Sequence, residues 1–197
     1  MVRAFHNGVS ENFWETERIR LRAVEPSDAA IFYEWNQHSN MPRHLDMVWF
    51  PSSLAGVEQW ARETSLKSAE NDSQFLIIED DAGNVVGFIH PNSCDRKVGN
   101  FAYGVGVRPN FQRHGYAAQA IRLLLRYFFN ELNYQKCTLN IHSNNAESIA
   151  LHEKLGFTPE GRLRRVVYSA GAFHDLLYYG ITREEFEVKN GFPPSRE

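Results

Sequence analysis

The stretch Arg108-Pro109-Asn110-Phe111-Gln112-Arg113-His114-Gly115-Tyr116-Ala117 stands between a predicted strand and a predicted long helix. The strand covers residues 98–107 and is rich in glycine, and the helix covers residues 117–132 with apolar residues at helical spacing. A junction of this kind gathers backbone N–H groups, and the helix N-terminus adds a partial positive charge. We therefore expect a diphosphate to bind at residues 112–117.

Individual residues of this junction support the same interpretation. Gly115 allows a sterically demanding backbone conformation and a close approach to phosphates, and Ala117 keeps the helix entrance small. Arg113 and His114 offer cationic contacts. Glycine is also common where a helix simply begins, so Gly115 alone favours an ordinary helix start, and it is the whole context that favours the diphosphate site. An ATP-binding P-loop is disfavoured because no Gly-Lys-Ser/Thr follows this glycine.

The remaining pattern predicts a mixed α/β (α+β) domain in which helices are interspersed with a mostly antiparallel sheet. Further strands are predicted at residues 18–22, 74–79, 85–90, 136–142, 161–169 and 173–181, and further helices from residue 25, at 54–68 and at 145–155. The length of 197 residues suits one domain. We place that domain at residues 14–190, between a flexible N-terminal arm at 1–13 and a C-terminal tail at 191–197.

Composition excludes several classes of protein. The net charge is -3, whereas a dominant nucleic-acid binder is usually basic, so no nucleic-acid partner is expected. We expect no secretory leader, because residues 1–10 lack an apolar core, and no apolar run approaches the ~20 residues that span a bilayer. The prediction is a cytoplasmic protein without a membrane partner. Its two cysteines, Cys94 and Cys137, are expected to be reduced thiols. We expect no bound metal.

Four ordered segments carry a family resemblance. Gln112-x-x-Gly115-x-Ala117 resembles the Q/R-x-x-G-x-G/A motif of the GNAT superfamily of N-acetyltransferases. Asn145-Ala146-Glu147-Ser148, followed by His152-Glu153-Lys154-Leu155-Gly156-Phe157, resembles that superfamily's second cofactor segment. The segments at residues 16–22 and 175–186 resemble the branch that contains ribosomal-protein N-terminal acetyltransferases.

The resemblance implies acetyl-CoA as the cofactor, a sheet splayed in the middle and flanked by helices, and a homodimer as a common state. The pantetheine arm would enter the gap between the strands at 101–107 and 136–142, where one backbone N–H near Val105 to Val107 would polarise the thioester carbonyl. Asn145 also has a structural interpretation as a helix N-cap. The residues implied to bind the cofactor are Val105, Val107, Gln112, Arg113, His114, Gly115, Tyr116, Ala117, Asn145 and Ser148.

The resemblance identifies the catalytic residues less clearly than it identifies the cofactor-binding residues. His152 stands where many members have a tyrosine that protonates the departing thiolate; histidine is able to do this, and it is equally compatible with a partly buried structural role. The glycine-rich strand offers no carboxylate as a general base. Glu34, Asp46, His90, His142 or a water chain remain as candidates. We select His142 because it ends the strand that faces the gap.

The acceptor is predicted to be a primary amine that attacks the thioester directly in a ternary complex. A peptide N-terminus, a polyamine and a small-molecule amine all remain open. Trp35 and Trp60 fall on apolar helix faces and are predicted to be core residues. Glu34, Trp49 and Phe50 are the candidates for substrate binding, by charge and cation–π contacts. The alternative function is a catalytically idle acyl-CoA-binding sensor or scaffold.

Overall fold

A computed structural model of the chain describes residues 5–6, 9–10, 12–37, 48 and 50–190. The strands are β1 (Phe5–His6), β2 (Val9–Ser10), β3 (Ile19–Ala23), β4 (Leu76–Asp80), β5 (Val85–Asp95), β6 (Asn100–Val107), β7 (Lys136–His142), β8 (Thr158–Ser169) and β9 (Ala172–Thr182). The α-helices are α1 (Ala29–Asn36), α2 (Leu54–Leu66), α3 (Tyr116–Arg126), α4 (Ala146–Leu155) and α5 (Arg183–Asn190). Short 3-10 turns at Pro26–Asp28 and Pro109–Phe111 precede α1 and α3.

Seven of the described strands form one sheet in the order β3-β4-β5-β6-β7-β9-β8, and β1 pairs with β2 separately. Neighbouring strands of the large sheet are antiparallel except for β6 and β7, which are parallel. A parallel pair needs a crossover connection, which α3 supplies here. The predicted mixed α/β fold with a mostly antiparallel sheet is confirmed.

The predicted long helix changes its geometry near its end. Residues 117–132 were expected to be one α-helix, but α3 ends at Arg126 and a π-helical turn continues from Tyr127 to Glu131. This turn buries the adjacent side chains Phe128 and Phe129 together. The ring of Phe128 stacks on Phe101 of β6 at a centroid distance of 4.0 Å, so the turn fixes the beginning of that strand.

Two apolar clusters cover the sheet. The larger one packs α3 and the π-helical turn on the sheet, with Phe101, Ile121 and Leu124 buried at its centre. The second packs α1 and α2 on the sheet, with Trp35 fully within it and Trp60 packed against it, as predicted for both tryptophans. Within the described residues, no helix has the length and apolar character needed to cross a bilayer.

Candidate active site

Strands β6 and β7 separate soon after they meet. They pair only at Asn100–Lys136 and Phe101–Cys137. Beyond these pairs, β6 stays bonded to β5 as far as Val107, and β7 stays bonded to β9 throughout its length. The inner edges of residues 102–107 and 138–142 therefore border a gap, in which an extended ligand can take the place of a strand.

A cavity of about 1110 Å³ occupies this gap. Both diverging strands, the loop that follows β6, the first turns of α3 and one side of α4 line it. Of the residues predicted to bind the cofactor, those on the cavity wall are Val105, Val107, Gln112, Arg113, Gly115, Tyr116, Ala117, Asn145 and Ser148. The structure thus brings together two sequence segments that the chain separates by the whole of α3 and β7.

His114 is the predicted cofactor residue that the cavity wall does not include. Its Nδ1 lies 2.7 Å from the carbonyl oxygen of Gln112, and its ring stacks beside Tyr116 at 5.8 Å. The imidazole therefore stabilises the turn from the outside. Its contribution to the loop is structural in this geometry, because a carbonyl partner fixes the proton on Nδ1.

The loop before α3 has the backbone geometry of an anion site. Arg113 and Gly115 both have left-handed backbones, with φ of 63° and 82°. Gly115 is the N-cap of α3 and, lacking a side chain, provides no cap to the helix. The first N–H groups of the helix have no intrahelical acceptor and point toward the loop. These donors fit the diphosphate of CoA, to which the helix dipole also adds favourable charge.

Two arginines, Arg113 and Arg18, lie beside this loop and contact different partners. Arg113 contacts Glu147 at 3.2 Å, but both side chains are largely exposed, so the pair is weak. Arg18, which precedes β3, lines the cavity and lies over the ring of Tyr116. Sequence reasoning missed Arg18, because nothing in its local pattern indicates that its segment meets the start of α3.

Asn145 has the capping role that was one of its two interpretations. Its Oδ1 accepts the backbone N–H of Ser148 at 3.1 Å, which begins α4 at the cavity wall. Ser148 in turn offers its carbonyl oxygen to Nδ1 of His152, at 2.7 Å. The cap therefore orients the first turn of α4 and, through it, the histidine one turn later.

His152 is buried against β6, with 3% of its surface exposed. Its Nε2 lies 3.0 Å from the hydroxyl of Tyr103, so both ring nitrogens have protein partners. Burial lowers the pKa of His152, and the bond to the Ser148 carbonyl opposes that shift. Burial raises the pKa of Tyr103 well above its usual value. The neutral forms of both groups are favoured, and both residues line the cavity.

Of the two histidines considered as the general base, His142 lines the cavity and His90 does not. His142 lies at the end of β7 on the cavity wall and is 7% exposed. His90 lies outside the wall, where its Nε2 is 3.1 Å from the hydroxyl of Ser73 and its ring stacks on Phe75 at 5.6 Å. Burial lowers the pKa of His90. Asp46 lies outside the described residues.

Of the predicted substrate residues, the described Glu34 and Phe50 lie outside the cavity wall. Glu34 of α1 is mostly exposed and contacts Arg108 at 3.4 Å. Phe50 is 94% exposed, and Trp49 lies outside the described residues. Closer to the gap, a Cβ built on Gly104 meets no described atom within 4 Å, so the cavity is open beside β6 there. Asn92 on the adjacent strand also lines this opening.

Comparisons with known proteins agree with this geometry. Residues 18–158 match the model of an acetyltransferase (GNAT) domain. The chain is 39% identical to the SPbeta prophage-derived uncharacterized N-acetyltransferase YokL of Bacillus subtilis (strain 168), covering 91% of this chain and 98% of that protein. It is 23% identical to a spermidine N(1)-acetyltransferase of Vibrio cholerae, covering 86% of this chain and 95% of that protein.

A solved structure shows the same fold. The crystal structure of spermidine N-acetyltransferase from Vibrio cholerae, in complex with CoA and spermine, matches with a TM-score of 0.74 at 22% identity, covering 85% of this chain and 97% of that one. The family match spans more than half of the chain, and YokL is related over nearly its whole length. The chain therefore belongs to the GNAT family of acetyltransferases, enzymes that take an acetyl group from acetyl-CoA.

Proposed function

We propose that this chain transfers the acetyl group of acetyl-CoA to a primary amine, with a cationic polyamine as the first acceptor class to test. The gap between β6 and β7 supports this proposal most directly, because one cavity joins the helix start at Gly115 to a slot between two strands that have ceased to pair. Such a slot accommodates an extended pantetheine arm. The polyamine class is suggested by relatives named as spermidine acetyltransferases.

In this proposal the chain's own groups bind, orient and move protons. Bound acetyl-CoA supplies an activated acyl group on a thioester. N–H groups at the start of α3 hold the diphosphate, and one N–H between Val105 and Val107 polarises the thioester carbonyl. The amine enters beside Gly104, where the cavity is open. His142, on the opposite strand, accepts the proton that the ammonium must lose before it attacks.

The test is release of the CoA thiol from acetyl-CoA in the presence of spermidine, spermine, short peptides with free N-termini and simple monoamines. We expect turnover that depends on the amine, together with acetylated product detected by mass spectrometry. CoA binding without turnover on any amine supports the sensor or scaffold function instead. Tighter binding of ATP than of CoA in isothermal titration contradicts the cofactor assignment.

A homodimer is a further proposal for this chain. A spermidine acetyltransferase of Vibrio cholerae is described as dodecameric, which shows that this fold supports assembly in that protein. Light scattering of the purified chain at several concentrations measures its mass directly. A single mass equal to one chain at all concentrations contradicts the homodimer.

A further inference from the structure

The hydrogen bonds of His152 determine where its proton lies. Nδ1 lies 2.7 Å from the carbonyl oxygen of Ser148 and 3.3 Å from the hydroxyl oxygen of the same residue. The shorter contact is to a carbonyl oxygen, which only accepts, whereas the hydroxyl is able to accept as well as donate. Nδ1 therefore carries a proton whether the ring is neutral or charged. The remaining nitrogen, Nε2, faces the hydroxyl of Tyr103 at 3.0 Å and is the position that titrates.

This arrangement couples the protonation of His152 to the direction of the Tyr103 hydroxyl. When the ring is neutral, Nε2 has a lone pair and the hydroxyl donates to it. When the ring is protonated, Nε2–H donates to the hydroxyl oxygen, and the hydroxyl proton becomes available to another acceptor. Because both ring nitrogens face protein groups, a proton that leaves this pair has to leave through Tyr103.

The pair lies where the two central strands separate. Tyr103 stands two positions beyond Phe101, the last residue of β6 that pairs with β7. The exposed fractions are 7% for Tyr103 and 3% for His152, and both residues line the cavity. The ring of Phe157 stands edge-on to both, at centroid distances of 6.4 Å and 5.2 Å. Water is therefore largely excluded from the pair, which strengthens its hydrogen bonds.

We propose that the hydroxyl of Tyr103 gives the departing CoA thiolate its proton, and that His152 is the positioning residue that supplies and directs that proton. The inference rests on the proposed acetyl transfer. As the carbon–sulfur bond breaks, its electron pair stays on sulfur. Sulfur takes the hydroxyl proton of Tyr103, and the hydroxyl oxygen takes the Nε2 proton of His152. The ring receives that Nε2 proton from solvent in the cavity, through the same Tyr103 hydroxyl, before the carbon–sulfur bond breaks. One proton moves from the pair to sulfur, and the Nδ1 proton stays on its bond to Ser148.

The decisive variant is Tyr103→Phe, with Tyr179→Phe as its matched control. Tyr179 is also buried, and its hydroxyl bonds to Glu153 of α4 at 2.9 Å, so each hydroxyl ties the same helix to the sheet. Tyr179 lies off the cavity wall. We expect Tyr103→Phe to lower kcat roughly 100-fold with an unchanged KM for acetyl-CoA, since general acids contribute factors of that order. Tyr179→Phe is expected to retain kcat. Equal kcat losses in the two variants overturn the inference, because they indicate loosening of α4.

His152→Gln tests the other half of the pair. Glutamine leaves an acceptor for the Tyr103 hydroxyl but has no proton that titrates near neutrality. We expect a loss of kcat comparable to that of Tyr103→Phe, and no further loss in the double variant, because the two residues act as one unit. If the losses of kcat in the two single variants multiply in the double variant, the two residues act independently, which contradicts the relay.

Two measurements do not depend on the acceptor amine. Nitrogen NMR of the cofactor-free protein is expected to show His152 protonated at Nδ1 and unprotonated at Nε2, with the Nε2 signal shifted in Tyr103→Phe. The ultraviolet absorbance of the thiolate gives the pKa of the CoA thiol when bound. We expect a lower thiol pKa in the wild type than in Tyr103→Phe, because a hydrogen bond to the thiolate favours it. An identical thiol pKa in both proteins contradicts the inference.

These results separate the inference from the proposed function. If CoA binds and no amine is acetylated, the function fails, and the thiol titration still decides the role of Tyr103. If amines are acetylated and Tyr103→Phe keeps its kcat, the function stands and the inference fails.

Discussion

The guanidinium of Arg18 lies over the ring of Tyr116, with Cζ 5.5 Å from the ring centroid. Its Nη1 is also 3.9 Å from the position that a Cβ on Gly115 would occupy. The segment before β3 thus places a fixed positive charge beside the N-terminus of α3. Because the helix N-terminus also favours anions, the two features reinforce each other at the proposed diphosphate site.

Replacing Arg18 by glutamine is expected to weaken CoA binding about tenfold, the value of one charge-assisted hydrogen bond. The difference from wild type should shrink as salt is added, because salt screens exposed charges. Arg62→Gln, which removes an exposed charge from α2, is the control and should leave affinity unchanged. Isothermal titration at two salt concentrations measures both variants. If wild type and Arg18→Gln bind CoA with equal affinity, Arg18 does not contact the cofactor.

Gly115→Val tests the backbone of the diphosphate loop. The residue has φ of 82°, a conformation that costs a β-branched residue about 1–3 kcal/mol. Gly83, in the hairpin between β4 and β5, has φ of 85° and open space around it, so Gly83→Val introduces the same backbone strain away from the cavity. We expect similar losses of melting temperature in both variants. Only Gly115→Val should lose CoA affinity; parallel losses of affinity in both contradict the assignment of the loop.

The sequence predicted the parts of the site that depend on local chemistry. The start of the long helix was predictable because glycine is common between a strand and an amphipathic helix, and Gly115 occupies the N-cap position of α3 with a left-handed backbone. Asn145 was predictable as a cap for the same reason, since its side chain acts on the next turn of backbone. Both residues act over short distances along the chain.

The contacts between distant segments were not predictable in this way. Tyr103 fits the alternation of a buried strand, so its pattern indicates core packing and says nothing of a partner 49 residues further on. The contact between the Glu34 carboxylate and Arg108, just after β6, likewise joins distant segments of the chain. Such pairings depend on how strands are ordered in the sheet, which local periodicity does not encode.

Two substitutions separate the capping role of Asn145 from its proposed contact with the cofactor. Asn145→Ala removes the cap of α4 and should cost about 1 kcal/mol of stability as well as CoA affinity. Asn145→Ser keeps a capping oxygen and should therefore restore most of the stability. If the amide also contacts the cofactor, as proposed, the serine variant stays weak in CoA binding. Full recovery of both properties in the serine variant shows that capping alone explains the residue.

Glu34→Gln tests the acceptor side of the cavity. The Glu34 carboxylate is mostly exposed and its contact with Arg108 is 3.4 Å long, so stability should change by less than about 1 kcal/mol. If Glu34 helps to bind a cationic acceptor, KM for spermidine should rise severalfold while KM for acetyl-CoA stays constant. Glu63→Gln, on the exposed side of α2, removes the same charge as a control. An unchanged KM for every amine tested removes Glu34 from substrate binding.

The thiols of Cys94 and Cys137 should be unreactive in the folded protein. Burial, helped by the nearby carboxylate of Asp72, raises the pKa of Cys94 to about 11, and burial raises that of Cys137 as well. An acid whose pKa is raised keeps its proton at lower pH, so at pH 8 only about one Cys94 in a thousand is thiolate, the reactive form. We expect no labelling by an aromatic disulfide reagent until urea unfolds the chain, when both thiols react. Rapid labelling of the folded protein contradicts this expectation. Since the same reagent detects the CoA thiol, the protein's own cysteines should add almost no background to the assay of acetyl transfer.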